Sequence, residues 1–370
     1  MEIVVRKNDL LRELQLVQGI VERKNSIPIL SNVLVETLDG EIRIAATDLD
    51  VSLRSGCGAQ IISPGAITLG AKKLYEIMRS LPESDVHIEV QADSWTAIEC
   101  ERVRFRMAGL PIEDFPSLPD AKGGQGVQVS GAALRDLIVR TAFAITAEDA
   151  RYYLAGALLI LEKDAVAMVA TDGHRLSYAS TKVALKLTEG QQVLVPRKAI
   201  QELARLLETE ESATFQHVEN HLVFSVGTRT LASKSIEGQF PAFEKVIAIT
   251  GDKSVHLSRE ALATAIRRVS LLSSDRSRAV KLTLEKGHVN LAASSPDLGE
   301  ARESLPVDYA GGAVEIGFNA QYLLDFLGAA GTEEVVIELK DHESQGVFKP
   351  LATKDSTAVE YRYVVMPMRL

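Results

Sequence analysis

The most constraining feature of this sequence is a repeat with a period of about 124 residues. The motif Ala46-Thr47-Asp48 returns as Ala170-Thr171-Asp172, and the run Ile-Glu-Asp-Phe-Pro at 112–116 returns in similar form at 236–241. A weaker third copy begins near residue 254. Solenoids and propellers repeat every ~20–50 residues, so a period this long corresponds to a whole domain. The sequence therefore predicts three similar domains in tandem.

We place these domains at residues 1–121, 127–248 and 253–370, with short linkers at 118–126 and 248–253. A chain of 370 residues is long enough for three domains of ordinary size, each with its own core. A catalytic centre needs one unique set of groups. Triplication of a scaffold therefore indicates that the shape of the assembly is the function.

The composition is typical of a soluble globular protein, with 46% apolar and 25% charged residues. No apolar run approaches the ~20 residues that a membrane helix needs. The start, Glu2-Ile3-Val4-Val5, has a strand pattern and not that of a signal peptide. The only two cysteines, Cys57 and Cys100, lack metal-ligand spacing, which favours a reduced, cytoplasmic setting and no chemical role for either thiol. We expect no membrane partner.

Each repeat contains two helical patterns among alternating strand patterns. The first helix carries Leu10, Leu14 and Val17 on one stripe, as the 3.6-residue period requires. The predicted helices span 8–21, 71–80, 131–145, 197–207, 259–272 and 319–327. Runs such as 33–36, 42–45 and 158–161 alternate as strands do, and several end in turns such as Asp39-Gly40. The predicted fold class is α+β, with helices on one face of antiparallel sheets.

The net charge of −9 argues against a simple nucleic-acid-binding domain, which would usually be basic. The charge is unevenly distributed, however. The six helical segments together carry a net charge of +5, which leaves −14 for the rest of the chain. One interpretation is that exposed helix faces simply carry Lys and Arg. The other is a basic wall suited to holding DNA by encirclement, where strong phosphate contacts would hinder sliding.

Two motifs could suggest chemistry. Asp48 and Asp50 resemble paired metal ligands, although the repeat has His174 in place of the second carboxylate. Asp172 and His174 could form a general-base pair, but no nucleophile elbow, phosphate-binding loop or dinucleotide fingerprint accompanies them. A polar turn after a strand explains both motifs better. We expect no enzymatic activity, no cofactor and no metal.

The end of the chain, Val364-Val365-Met366-Pro367-Met368, is unusually apolar for a terminus. Two flexible methionines around a proline could line an adaptable binding groove. The alternative is a final strand packed into the third domain.

Several of these motifs resemble one family, the bacterial DNA polymerase III β subunit (the sliding clamps). They are the run 170–176 (Ala-Thr-Asp-Gly-His-Arg-Leu), the preceding 151–154, Phe240-Pro241, 317–319 and the terminal 365–370. The resemblance covers the whole chain. It implies three copies of the DNA-clamp fold per chain and a head-to-tail homodimeric ring of six domains, with duplex DNA passing through the hole. It also implies a clamp loader that places the ring, and processivity for the replicative polymerase.

The resemblance further implies a groove between domains 2 and 3 that binds short peptides from polymerases, the loader and repair proteins. An apolar pocket with a few polar groups suits the anchor side chains of such motifs. The matching positions are Leu154, Thr171, Gly173, His174, Arg175, Leu176, Pro241, Val246, Asn319, Tyr322, Val364, Met366, Pro367, Met368, Arg369 and Leu370.

Two further sets of residues complete the predicted sites. The DNA-facing set on and near the helices is Lys24, Lys72, Lys73, Arg79, Arg135, Arg140, Arg197, Lys198, Arg205, Arg267 and Arg268. The dimer-interface set is Arg102, Arg104, Phe105, Met107, Leu271, Leu272, Asp297, Glu300 and Glu303. A basic and apolar end would then meet an acidic and apolar end, which is heterologous complementarity.

Glu148 departs from the family pattern, which often has an amide there, and this puts a DNA contact at that position in doubt. Two alternative functions stay open at this point. One is a hydrolase that uses Asp172 and His174. The other is a monomeric interaction scaffold that never meets DNA.

Overall fold

The structure is a computed structural model that describes residues 1–21, 27–119, 126–146, 151–208, 210–274, 278–351 and 359–369. Every structural statement below concerns these residues. Three of the predicted positions, Lys24, Glu148 and Leu370, lie outside them, as does most of the first predicted linker.

All six predicted helices are present among the described residues, with one further short helix. They are α1 Lys7–Val17, α2 Ala71–Ser80, α3 Gly131–Thr141, α4 Arg197–Leu206, α5 Glu244–Ile247, α6 Arg259–Ser270 and α7 Ala320–Ala329. The prediction for the first helix was four residues too long, because the helix ends before Gly19 and the N–H of Gly19 donates to Leu16 in a tighter turn. The third helix is also shorter than predicted and continues as a 3₁₀ turn, Ala142–Ala144.

The strands supply most of the remaining structure. They are β1 Glu2–Arg6, β2 Asn32–Leu38, β3 Glu41–Thr47, β4 Val51–Ser63, β5 Ala66–Gly70, β6 Asp85–Val90, β7 Trp95–Cys100, β8 Val103–Leu110, β9 Val127–Ser130, β10 Gly156–Leu161, β11 Ala165–Thr171, β12 Arg175–Lys182, β13 Gln191–Pro196, β14 Ser212–Val218, β15 His221–Val226, β16 Arg229–Lys234, β17 Lys253–Ser258, β18 Ala279–Glu285, β19 His288–Ser295, β20 Gly299–Pro306, β21 Val314–Asn319, β22 Glu334–Leu339, β23 Gly346–Pro350 and β24 Val359–Val365. The α+β prediction is confirmed.

The first of two compact units consists of residues 1–135 and 198–235. Its strands form a 12-stranded antiparallel sheet in the order β1-β6-β7-β8-β5-β2-β3-β4-β16-β15-β14-β9. The first repeat meets the second where β4 pairs with β16, with Leu53 opposite Leu231. Helices α1 and α2 pack together beside the sheet, and α1 buries the predicted stripe of Leu10, Leu14 and Val17.

The second unit consists of residues 136–197 and 236–370. It contains an eight-stranded sheet in the order β13-β10-β11-β12-β24-β23-β22-β17 and a four-stranded sheet in the order β20-β19-β18-β21. The second repeat meets the third where β12 pairs with β24, with Ser177 opposite Tyr363. Helices α6 and α7 pack together. No described helix in either unit is long and apolar enough to cross a membrane.

The two joints between repeats follow the same plan, in which four strands of one repeat continue into four strands of the next. The first joint is β5-β2-β3-β4 against β16-β15-β14-β9, and the second is β13-β10-β11-β12 against β24-β23-β22-β17. Within the described chain, β20 pairs only with β19. Strand β8 pairs with β7, and β5 reaches only its last residues, Gly109 and Leu110. At the internal joints, β4 pairs with β16 and β12 pairs with β24. Among the described residues, β20 and most of β8 lack a partner strand of this kind.

Candidate functional site: an apolar groove beside the C-terminal segment

The turn between β11 and β12 forms one wall of the candidate groove. The Asp172 carboxylate accepts hydrogen bonds from the backbone N–H groups of His174 (2.9 Å) and Arg175 (3.0 Å). The Thr171 hydroxyl donates to the carbonyl of Arg175 and accepts from the N–H of Gly173. Gly173 has φ of 87°, a left-handed conformation that glycine adopts without strain. The short polar side chains of this motif therefore shape the turn, and His174 is left exposed.

Arg175 extends from this turn into a closely packed polar cage, where its side chain is 9% exposed. Its Nε donates to Asp172 Oδ2 (3.0 Å), and its Nη1 donates to Asp325 Oδ2 (2.5 Å) on α7. Its Nη2 donates to the carbonyl of Phe143 (2.6 Å), and its guanidinium carbon lies 4.2 Å from the ring centre of Tyr322. Burial alone would lower the pKa of Arg175, but its interactions with Tyr363, Asp325 and Asp172 raise this pKa further above its usual range. The guanidinium is therefore a permanently charged bridge between the second and third repeats.

The C-terminal segment crosses from the second repeat to the third. The N–H of Met366 donates to the carbonyl of His174 (2.8 Å), and the N–H of Met368 donates to the carbonyl of Gly317 (2.8 Å). Val364 lies opposite Leu176 in the β12–β24 pairing. Of the two interpretations of the tail, the structure shows elements of both, since a buried strand ends at Val365 and an exposed Met366 follows it.

An apolar cluster lies on the second repeat near this wall. Its buried members are Leu158, Ile160, Ala167, Val169, Leu176, Leu194, Phe240 and Phe243. Tyr153, Tyr178 and the predicted groove residue Val246 pack against it while keeping part of their surface open. A partly covered apolar surface of this kind is what the anchor side chains of a short peptide require.

The remaining predicted groove residues have separate environments. Leu154 is fully buried, and the Asn319 side chain caps α7 by accepting from the N–H groups of Gln321 and Tyr322. Pro241 is exposed, and no described contact ties it to the wall. Beside the tail, a cavity of about 1180 Å³ is lined by Met366–Arg369, Ala313–Gly317, Lys340–Glu343 and Lys253.

The two motifs that could suggest chemistry have structural roles. Both oxygens of Asp172 are engaged with the turn backbone and Arg175, and neither contacts the His174 imidazole. In the first repeat, Asp48 caps the equivalent turn in the same way, and its second oxygen accepts from Lys198 Nζ (2.5 Å). Asp50 pairs separately with Lys234. The described residues contain no cluster of three or more potential metal ligands.

The predicted DNA-facing residues differ in how free their charges are. Lys72 and Lys73 are largely exposed and lie near Glu76, and Arg79 and Arg267 are also exposed. Arg205 is half-exposed and pairs with Glu202, and Arg197 is partly buried.

Three others are held within their own unit. Arg140 is 14% exposed, donates to the carbonyl of Ala330 and lies over the ring of Tyr361. The guanidinium of Arg140 is therefore engaged within its own unit. Lys198 is held by Asp48 and by the carbonyl of Ile20, and Arg135 donates to the carbonyls of Leu207 and Glu208.

The predicted interface residues lie on the two strand edges described above and after α6. Arg102, in the turn before β8, and Arg104 on β8 are exposed, while Phe105 and Met107 on β8 are half-buried. Leu271 is 76% exposed directly after α6, and Leu272 is half-buried. Asp297 and Glu300 are exposed near the start of β20. Glu303 instead pairs with Arg268 within the chain, and this hydrogen bond lowers the pKa of Glu303.

Sequence reasoning missed Phe143, Asp325 and Tyr363 as parts of the site. Tyr363 is fully buried, and its hydroxyl donates to the carbonyl of Tyr322 (3.0 Å). One signal was available for Asp325, which is the only charged residue in the sequence of α7.

Comparison with known proteins covers the whole chain. The family model described as DNA polymerase III beta subunit, N-terminal domain, matches residues 1–119. The models for the central and C-terminal domains of the same subunit match residues 128–242 and 244–369.

Individual proteins similar to this chain are members of the same family. The beta sliding clamp of Pseudomonas putida is 39% identical over 373 residues, with both chains fully covered. The crystal structure of the DNA polymerase III subunit beta from Pseudomonas aeruginosa has a TM-score of 0.92 and 38% identity, again with full coverage of both chains. A second structure of the Pseudomonas aeruginosa sliding clamp, bound to griselimycin, has the same TM-score, identity and coverage.

Three α+β repeats that share sheets across their joints define a DNA-clamp protein. The class is therefore established by the fold before any single residue is considered. The chain belongs to the DNA polymerase III β-subunit family, the β sliding clamps. This family supplies a processivity factor and not a catalytic subunit.

Proposed function

We propose that this chain is a sliding clamp, two copies of which join head to tail into a ring of six domains around duplex DNA. The ring would tether the replicative polymerase to its template. Family membership supports this function. The main structural support for the ring is the pair of strand edges, on β8 and β20, that lack a partner within the described residues. If β20 of one copy pairs with β8 of another, the strands β21-β18-β19-β20 continue into β8-β7-β6-β1, as at both internal joints.

The internal joints also supply the register of this pairing. Phe105 corresponds to Leu231, because β8 and β16 both follow two-residue turns, at Cys100–Val103 and Val226–Arg229. Strands β19 and β3 also follow two-residue turns, at Glu285–His288 and Leu38–Glu41, which aligns Ala293 with Ala46. Ala301 lies opposite Ala293 and Leu53 lies opposite Ala46, so Ala301 corresponds to Leu53. Since Leu53 lies opposite Leu231, we infer that Ala301 lies opposite Phe105 of the second copy.

This register has electrostatic consequences. It sets Glu300 opposite Arg106, an attractive cross-strand pair, and Arg302 opposite Arg104. The second pair is repulsive, but each arginine already has a carboxylate partner in its own chain, Glu300 for Arg302 and Glu99 for Arg104. The exposed Leu271 supplies apolar surface at the same end of the third repeat. Charge and apolar complementarity together favour a heterologous contact between copies.

The interface proposal is tested by exchanging charge. Arg106→Glu and Glu300→Arg should each weaken the dimer, and mixing the two variants should restore it, because both contacts of the mixed dimer are then complementary. Light scattering coupled to size-exclusion chromatography distinguishes the 40.2 kDa chain from its dimer. Lys163→Glu, on an exposed turn, is the charge-matched control. Two variants that stay monomeric when mixed would contradict the register.

We also propose that the groove beside the C-terminal segment receives partner peptides from the polymerase, the clamp loader and repair proteins. The exposed Met366, the partly open Val246 and the rigid turn at Gly173 and His174 support this role. Because a related clamp was solved with griselimycin, we expect griselimycin to bind this chain in the same groove. Calorimetric titration with and without residues 366–370 tests this, since deletion should remove binding without changing the dimer mass.

Topological binding is tested by loading the protein onto nicked circular DNA with a clamp loader and ATP, then linearising the DNA. Retention on the circle and loss from the linear form is the expected result. Equal retention on both would mean ordinary surface binding and would refute the ring. We also propose domain boundaries at 1–121, 127–248 and 253–370, and a cytoplasmic location. The basic residues predicted on and near the helices are proposed as the DNA-facing groups.

A further inference from the structure

Asp325 is a charged residue set into an otherwise uncharged helix at the edge of the groove. Its side chain is 21% exposed, and both carboxylate oxygens are engaged. Oδ2 accepts from Arg175 Nη1 (2.5 Å), and Oδ1 accepts from Gln321 Nε2 (2.7 Å). The carboxylate therefore has a fixed orientation on α7 and a single charged partner among the described residues, Arg175.

The charge of Asp325 reaches the groove wall through a continuous chain of hydrogen bonds. Arg175 joins Asp325 to Asp172, and Asp172 in turn holds the N–H groups of His174 and Arg175. The carbonyl of His174 then accepts from the N–H of Met366. This series of hydrogen bonds thus links α7 of the third repeat, the turn that presents Gly173 and His174, and the apolar tail.

The first repeat shows that such a turn forms without this relay. The turn at Asp48 has the same backbone hydrogen bonds, with Val51 at the position that corresponds to Arg175. There a lysine on the neighbouring helix, Lys198, binds the turn carboxylate directly. At the turn of the second repeat, the neighbouring helix α7 carries an acidic residue, Asp325, instead of a lysine. Arg175 lies between the carboxylates of Asp172 and Asp325. This more elaborate arrangement occurs at the joint where the apolar groove and the tail meet.

We propose that Asp325 is a positioning residue of the peptide groove, acting through Arg175 to fix the turn that presents Gly173 and His174. This inference rests on the proposed peptide-binding function. Asp325 itself would not touch the ligand, since its oxygens are directed to Arg175 and Gln321. Arg175 would likewise serve mainly as a bridge, because its donors are already used within the chain.

The test compares Asp325→Asn with Asp325→Glu, using griselimycin as the probe and titration calorimetry as the measurement. The asparagine variant should bind about tenfold more weakly, within the range by which residues outside a site alter affinity. The glutamate variant, which keeps the charge, should recover most of the affinity. Asp308→Asn, an exposed residue of the third repeat, is the control and should bind as the natural chain does.

Amide hydrogen exchange provides a second readout that needs no ligand. In Asp325→Asn, exchange should rise at residues 173–175 and at Met366, while the rest of α7 keeps its protection. Unchanged exchange at these residues in Asp325→Asn would overturn the inference. It would also be overturned if the natural chain binds griselimycin and Asp325→Asn binds it with the same affinity. A natural chain that does not bind griselimycin would instead count against the proposed groove, and the exchange result would still decide the role of Asp325.

Discussion

The ion pair between Glu13 and Arg229 gives a prediction whose size and pH dependence follow from the structure. Glu13 on α1 is 1% exposed and Arg229 on β16 is 11% exposed. Arg229 donates to both carboxylate oxygens, from Nε (2.9 Å) and Nη2 (2.8 Å), and Arg12 adds a third contact (3.1 Å). The pair thus joins the first repeat to part of the second within one compact unit.

Arg229→Met keeps most of the volume of the side chain but leaves the Glu13 charge buried. Removing one partner of a buried ion pair costs about 3–5 kcal/mol, because the remaining charge has lost its compensation. Arg12 retains a contact with the carboxylate, so we expect about 3 kcal/mol at neutral pH. Glu13→Gln combined with Arg229→Met removes the buried charge and should recover a large part of this loss.

The pH dependence separates this mechanism from simple loss of packing. Burial alone would raise the pKa of Glu13, but the hydrogen bonds and charges of Arg229 and Arg12 lower it below its usual value of 4.5. In the natural chain the pair therefore stabilises above that value, and its contribution is lost as the pH falls through the lowered pKa. In Arg229→Met the burial effect prevails and raises the pKa, so the destabilisation should shrink as the pH falls towards 4.5 and the carboxyl takes up a proton.

Urea denaturation at fixed protein concentration measures the free energy of unfolding from pH 7 to pH 4.5, with Lys163→Met as an exposed control. Fixed concentration is needed because association would itself contribute to stability. A loss below 1 kcal/mol at pH 7, or a loss that does not change with pH, would refute the argument from an uncompensated buried charge.

Three further predictions concern the groove, a thiol and the interface. Gly173→Ala forces a side chain into a backbone with φ of 87°, at about 1–2 kcal/mol, and should weaken griselimycin binding in calorimetry. Gly40→Ala, similarly strained at φ of 74° but in the unit that contains none of the groove residues, should leave binding unchanged. Burial and the nearby acidic charges raise the pKa of Cys57 to about 12. The Cys57 thiol should therefore resist a disulfide reagent at pH 8 until the protein unfolds, and rapid reaction in the native chain would contradict this. Arg106 lies 4.3 Å from the ring centre of Trp95, the only tryptophan, so dilution into monomers should change the tryptophan emission; emission that stays constant while light scattering reports dissociation would argue against Arg106 at the interface.

Local patterns in the sequence were sufficient for much of the architecture. The repeat predicted three similar domains, and the 3.6-residue stripes located all six longer helices. The errors were at helix ends, where Gly19 and the turn after Thr141 stop the helices earlier than the apolar periodicity indicated. The turn motifs were also visible, because Thr47-Asp48 and Thr171-Asp172 use short side chains to bond their own backbone.

The candidate site was only partly accessible in this way. Resemblance to the family named the turn residues and the tail, and the structure brings His174, Arg175, Tyr322 and Met366 together. It did not name Asp325, whose importance depends on an arginine 150 positions earlier in the chain. The contacts of Arg140 were hidden from the sequence for a similar reason, since its partners Ala330 and Tyr361 belong to the third repeat.

The sequence by itself thus determined the number of repeats, the class of each element and the turns that hold their own backbone, because these depend on residues a few positions apart. Only the tertiary structure decided which charges are buried together, as with Glu13 and Arg229 or Arg175 and Asp325, and which strand edges lack a partner. Those choices depend on sheet register and on desolvation. Residues far apart in the chain set both, and local periodicity contains no record of either.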